Sequence, residues 1–110
     1  MTSRHVINAT CPECRGPLTA VQHDEMVEYE CLVGHRYSAN ALLHAYATTQ
    51  ERALWSAVVA LEEATNLVNG VAPHLPSEVR PVLKLEADQK ARQAEKIREI
   101  LSELSPFRTG

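Results

Sequence analysis

The sequence predicts an α+β chain that is mostly α, with a small cysteine-bearing β-hairpin followed by a long antiparallel helical hairpin. Three observations carry this. All three cysteines lie within residues 1–37, among short runs in which polar and apolar residues alternate. From Ser38 to Leu104 the chain turns to Ala, Leu, Glu, Lys and Arg, with apolar residues three or four apart. Between the two helical stretches, Gly-Val-Ala-Pro-His-Leu-Pro at 70–76 has a length that suits antiparallel neighbours. The expected division is a β unit at 1–37, a helical hairpin at 38–104 and a loose tail at 105–110.

Cys11-Pro-Glu-Cys-Arg-Gly-Pro reads as a turn. Leu18 to Gln22 then alternates loosely and suits a strand, His23 to Glu25 suits a hairpin loop, and Met26 to Cys31 alternates as a half-buried strand does. Ser38 is placed to cap the first helix, whose pattern continues to about Asn69, with Gly70 as a stop signal. Its stripe is Leu43, Ala47, Leu54, Ala57, Leu61, Ala64, Val68 and Val71, broken only by Gln50. That helix would extend roughly 45 Å at 1.5 Å per residue. Ser77 can cap the second helix, which runs to about Leu104 on Val79, Leu83, Ala87, Ala94, Ile97, Leu101 and Leu104. With that start Pro81 falls at the fourth helical position, which is not its best place. Pro106 ends the pattern.

Cys11, Cys14, Cys31 and His35 are spaced Cys-x2-Cys, 16 residues, Cys-x3-His. Two residues between cysteines let a tight turn aim both sulfurs at one ion, and turn amides can donate to the thiolates. Gly16 and Gly34 are expected to supply the conformational freedom of such turns. The 16-residue spacer allows an out-and-back hairpin that returns Cys31 to the first pair. Mixed sulfur and imidazole ligands at this spacing point to one structural Zn2+ per chain, in a zinc-ribbon-like unit. Iron is the alternative metal. Four protein ligands leave no open position for water or substrate. A disulfide framework would strand one of the three cysteines. His5 is held as a substitute ligand, while His23, His44 and His74 read as solvated. Glu62, Glu63 and the charged set from Lys84 to Glu103 read as solvated helix faces.

Net charge is −3 with a pI near 5.9, against general attraction to nucleic acid or anionic membranes. Within residues 1–37, Arg4, Arg15 and Arg36 stand against Glu13, Asp24, Glu25, Glu28 and Glu30. No 18-residue apolar run exists, and the first ten residues lack the apolar stretch of a secretory signal. The expectation is a cytoplasmic protein with reduced thiols. Cys-x-x-Cys can also be a redox dithiol, but here Gly-Pro and a strand follow it rather than a helix. No paired catalytic carboxylates, phosphate loop or Gly-x-Ser-x-Gly appear.

Cys11-Pro-Glu-Cys-Arg-Gly-Pro-Leu, Tyr29-Glu-Cys-Leu-Val-Gly-His-Arg-Tyr-Ser38 and Ala53-Leu-Trp-Ser-Ala-Val-Val-Ala-Leu-Glu-Glu63 together resemble a known module. It is the cysteine-containing C-terminal extension of some bacterial chemotaxis protein-glutamate methylesterases and related stand-alone proteins. The similarity covers about residues 10–68, and the esterase catalytic domain is absent. The resemblance therefore implies a zinc knuckle on Cys11, Cys14, Cys31 and His35 joined to a helical segment. It also suggests bacterial origin and a signalling context, but transfers no esterase activity.

Leu54 to Leu61 reads Leu-Trp-Ser-Ala-Val-Val-Ala-Leu, apolar nearly all round. A helix in a bare hairpin needs one apolar face, so either the zinc unit or a second chain must cover the rest. A homodimer, giving a four-helix bundle, is the favoured expectation. The functional expectation is a non-enzymatic, zinc-stabilised protein-interaction or regulatory module. The alternatives are a nucleic-acid-binding zinc ribbon and a dithiol redox protein.

Overall fold

The computed structural model describes residues 2–104; the expected tail at 105–110 lies outside the described residues. Four antiparallel strands are followed by two helices, confirming an α+β chain that is mostly α. The strands are β1 (Thr2–Thr10), β2 (Pro17–His23), β3 (Met26–Cys31) and β4 (Arg36–Tyr37). The helices are α1 (Ala39–Val71) and α2 (Arg80–Glu103), joined through a 3-10 turn at Ala72–His74. The chain forms two compact units that divide inside α1, between Thr49 and Gln50. The start of α1 falls just after Tyr37, as the residue pattern indicates, but its first turns belong to the β unit.

In the first unit the sheet order is β1-β2-β3-β4. The expected hairpin is present as β2 and β3, with Leu18 opposite Cys31 and His23 opposite Met26. Asp24 takes a left-handed φ of 57° in its two-residue loop, the kind of position that tight hairpin loops require and Asp tolerates. The hairpin is flanked by two strands that the pattern did not announce. β1 pairs along β2 from Thr2 opposite His23 to Thr10 opposite Pro17, with a register shift between Val6 and Thr10. β4 adds only Arg36 and Tyr37. This meander places the β1–β2 turn and the β3–β4 turn at one end of the sheet, so both cysteine-bearing turns meet there.

The core of this unit is Cys11, Leu18, Cys31 and Leu42, with Ile7, Ala9, Tyr29, Tyr37 and Tyr46 packed against it. Leu42 and Tyr46 come from α1, which is why its first turns go with the sheet. The Tyr46 hydroxyl donates to the Thr10 carbonyl and accepts from the Thr10 amide at 2.9 Å. Ser38 caps α1 as expected, its Oγ accepting from the Ala41 amide at 3.1 Å.

The second unit contains α1 from Gln50 and all of α2. On the expected stripes Ala87 and Ala94 are buried and Leu54, Leu61, Leu83, Ile97 and Leu101 half-buried, but Val71, Val79 and Leu104 are exposed, and the buried residue of α1 is Val58, which the stripe did not include. Thr65 Oγ1 donates to the Ala87 carbonyl across the pair at 3.3 Å. Arg98 hydrogen-bonds Glu62 and lies 5.6 Å over the Trp55 ring.

Two expected helix boundaries are corrected. Gly70 does not stop α1; it is helical, and the chain leaves the helix only after Val71. Pro73 supplies the reason: it has no N–H for an α-helical bond, and the chain tightens into the 3-10 turn, which ends where Leu75, before Pro76, is extended at φ −112°, ψ 159°. Ser77 does not cap α2; the N-cap is Val79, without a side-chain cap. Starting at Arg80 puts Pro81 among the first two helical positions, where its missing N–H costs nothing.

Candidate metal centre

Cys11 and Cys14 lie in the turn between β1 and β2. The Cys11 amide donates to the Gly16 carbonyl at 2.7 Å, and the Arg15 amide donates to the Cys11 carbonyl at 2.8 Å. The left-handed position there is taken by Arg15, at φ 64°, and not by Gly16 as expected. A Cβ on Gly16 would instead sit 3.4 Å from Cys14 Sγ, so the glycine leaves room for the sulfur. In the second turn Gly34 does take a positive φ, 102°. It lets the Gly34 amide reach the Cys31 carbonyl at 3.2 Å and the Cys31 amide reach the His35 carbonyl at 3.1 Å.

The fold brings together all four residues singled out by spacing. One ligand atom from each of Cys11, Cys14, Cys31 and His35 lies within 4.8 Å of the others. His35 Nδ1 is 3.3 Å from Cys31 Sγ and 3.5 Å from Cys11 Sγ. Cys14 Sγ is 3.7 Å from Cys31 Sγ. Zinc bonds sulfur at about 2.3 Å and imidazole nitrogen at about 2.0 Å, so a tetrahedron spaces two sulfurs by about 3.8 Å and sulfur from nitrogen by about 3.5 Å. These three separations are close to such edges. The four groups can hold one metal ion, and their chemistry is compatible with zinc. His5 is not part of the cluster; it sits exposed in β1 opposite Ala20.

The electrostatics of the sulfurs point the same way. Burial raises the Cys11 thiol, but the Tyr37 hydroxyl, 3.5 Å from its sulfur, and the Cys14 and Glu13 amides outweigh burial and bring its pKa down to about 6. Burial also raises Cys31, and there too the His35 and Val33 amides win and lower it. Cys14 goes the other way. The Gly16 amide lowers it, yet burial and the crowding Cys31 and Cys11 sulfurs raise it overall. Hydrogen bonding to Cys31 raises His35, against burial. Three sulfurs this close cannot all carry charge without a cation between them, and a bound cation reverses that repulsion.

Two residues at the site were not found from the sequence. Glu13 Oε2 lies 3.1 Å from His35 Nε2, on the side of the ring away from the sulfurs. A carboxylate on the outer nitrogen fixes which nitrogen faces the metal. Tyr37 bonds the Cys11 sulfur, and burial with that bond raises its own pKa. Glu13 stood in view between the two cysteines, but its side chain is 58% exposed and spacing alone does not aim it at His35.

Among the described residues no helix is long and apolar enough to cross a membrane. No family model, no curated protein and no solved structure matches the chain.

Proposed function

We propose that this chain is a non-enzymatic protein-interaction or regulatory module whose β unit is held together by one structural zinc. The observation that carries this reading is the set of four ligand atoms within 4.8 Å of one another, three of their separations close to tetrahedral edge lengths. Four protein ligands close the shell, which leaves a zinc ion no position for substrate. Two of the ligands, Cys11 and Cys31, are at the same time core side chains. Metal binding there is folding free energy for the unit. The interaction role rests on the second unit, where Trp55 and Val59 stay 43% and 51% exposed on the outer side of α1. The resemblance over residues 10–68 supports a bacterial signalling setting, and free cysteines suit the cytoplasm.

Charge speaks against the nucleic-acid alternative. Two of the three arginines of the β unit, Arg4 and Arg36, are paired with Glu30. The dithiol alternative needs an accessible thiolate, and Cys11 and Cys31, the two sulfurs with lowered pKa values, are both buried.

Elemental analysis of protein purified without a histidine tag or added metal tests the reading. About one zinc per chain is expected. Metal-free protein whose Cys11 and Cys14 oxidise readily to a disulfide would overturn it in favour of the dithiol.

A further inference from the structure

We infer that α1 pairs with the α1 of a second copy of this chain, antiparallel and two-fold symmetric, over residues 52–63. The inference rests on the interaction-module reading and names its partner. A shallow groove of about 400 Å³ lies on the outer face of α1, lined by Arg52, Trp55, Ser56, Val59, Ala60 and Glu63. These residues recur at helical spacing over about three turns, roughly 16 Å, so they form one stripe. The stripe faces away from α2 except at Trp55, whose ring lies at its edge 5.6 Å under Arg98 of α2; the residues that meet α2 are Leu54, Val58, Leu61 and Thr65.

The order of chemistry along the stripe is self-complementary. Its centre is apolar but for Ser56, and each end carries one charge of opposite sign. An antiparallel two-fold sets Arg52 against the second copy's glutamate and Glu63 against its arginine. The same operation sets Trp55 against alanine at 60, a large ring against a small residue, and Ser56 against Val59. A parallel arrangement would instead place arginine on arginine and glutamate on glutamate. Among the described residues neither Arg52 nor Glu63 forms an ion pair within its own chain. Isologous contacts of this kind are what closed dimers use. Joining two helical hairpins along α1 yields a four-helix bundle. One helix pair over three turns buries less than the about 800 Å² per partner of a standard interface. The dimer is therefore concentration-dependent and sensitive to salt.

The experiment is sedimentation of the full chain from micromolar to millimolar concentration, with helical circular dichroism and zinc content measured on every sample. Wild-type protein self-associates, more strongly at low salt. Arg52→Glu and Glu63→Arg each weaken association by about tenfold or more, because each brings like charges together twice across the two-fold. An equimolar mixture of the two variants re-associates, since both contacts are then opposite in sign. Val59→Glu, at the centre, cannot be rescued by either. A wild-type chain that stays monomeric throughout overturns the pairing. So does a dimer that survives both single variants and Val59→Glu, or a mixture that fails to re-associate. A monomer carrying one zinc would sink the α1 pairing and leave the zinc-held module standing, whereas metal-free protein would sink that module reading whatever the sedimentation shows.

Discussion

Removing the Glu13 carboxylate tests whether the metal centre extends beyond its four ligands. In the structure Glu13 Oε2 is 3.1 Å from His35 Nε2, while Nδ1 faces the sulfurs. With zinc on Nδ1 the outer nitrogen carries the proton, and the carboxylate holds that proton and the plane of the ring. Glu13→Ala leaves His35 free to rotate and to adopt the wrong tautomer before metal arrives. Losses from such outer partners run about 10–100-fold in metal affinity. Here the two side chains are 58% and 38% exposed. Water can therefore replace part of the bond, and a loss of about tenfold is expected, the low end of that range. Glu13→Gln keeps an acceptor and should lose less than Glu13→Ala. The assay is competition against a chromophoric zinc chelator at fixed pH and salt. An affinity unchanged within about twofold would reduce the contact to an incidental surface pair. Loss as complete as in a cysteine variant would mean instead that Glu13 is itself a ligand, and the assignment of His35 would fall.

Cys14→Ser is expected to abolish stoichiometric zinc and unfold the sheet, read as loss of tyrosine near-ultraviolet dichroism, while much of the helical signal survives in the second unit. Equal loss of both signals would show that the two units fold as one. Tyr46→Phe removes the two hydrogen bonds that fasten Thr10 to α1. It is expected to lower the stability of the first unit by about 1 kcal/mol with zinc stoichiometry unchanged, measured by denaturant unfolding. A variant as stable as wild type would mean that water satisfies Thr10 equally well.

The candidate metal ligands were legible because zinc chemistry constrains both residue type and spacing, so Cys-x2-Cys and Cys-x3-His carry their meaning without a fold. The helical stripes were legible for the same reason of period: Leu83, Ala87, Ala94, Ile97 and Leu101 are buried or half-buried as spaced. β1 was not, because nearly every residue of Thr2–Thr10 is exposed and only Ile7 and Ala9 turn inward, so no alternation stands out. β4 is two residues long, too short for any pattern. Gly70 and Ser77 misled for a common reason. A glycine or serine is a boundary signal only if the backbone uses what it offers, and here Pro73 and Pro81 set the boundaries by what they forbid. Glu13 and Tyr37 escaped because their role depends on where two distant turns meet, which is a product of the meander and not of local sequence.

Both units share one deficit, and it explains why each looks outward for completion. Among the described residues the first unit buries three aliphatic side chains larger than alanine, Leu18, Val21 and Leu42, beside Ala20 and two cysteines. So small a core gives little hydrophobic stabilisation, and small domains of this kind need a staple. The cysteines that take up core positions are also the residues that can bind one. In the second unit the residues buried at the helix contact are Val58 and two alanines, Ala87 and Ala94. Alanines let two helices approach closely but bury little apolar area, while Trp55, Val59 and Leu67 remain exposed on α1. The largest side chain of the hairpin thus lies outside its own core. A metal for the first unit and, under the pairing inferred above, a second α1 for the other would answer the same shortage of large buried side chains.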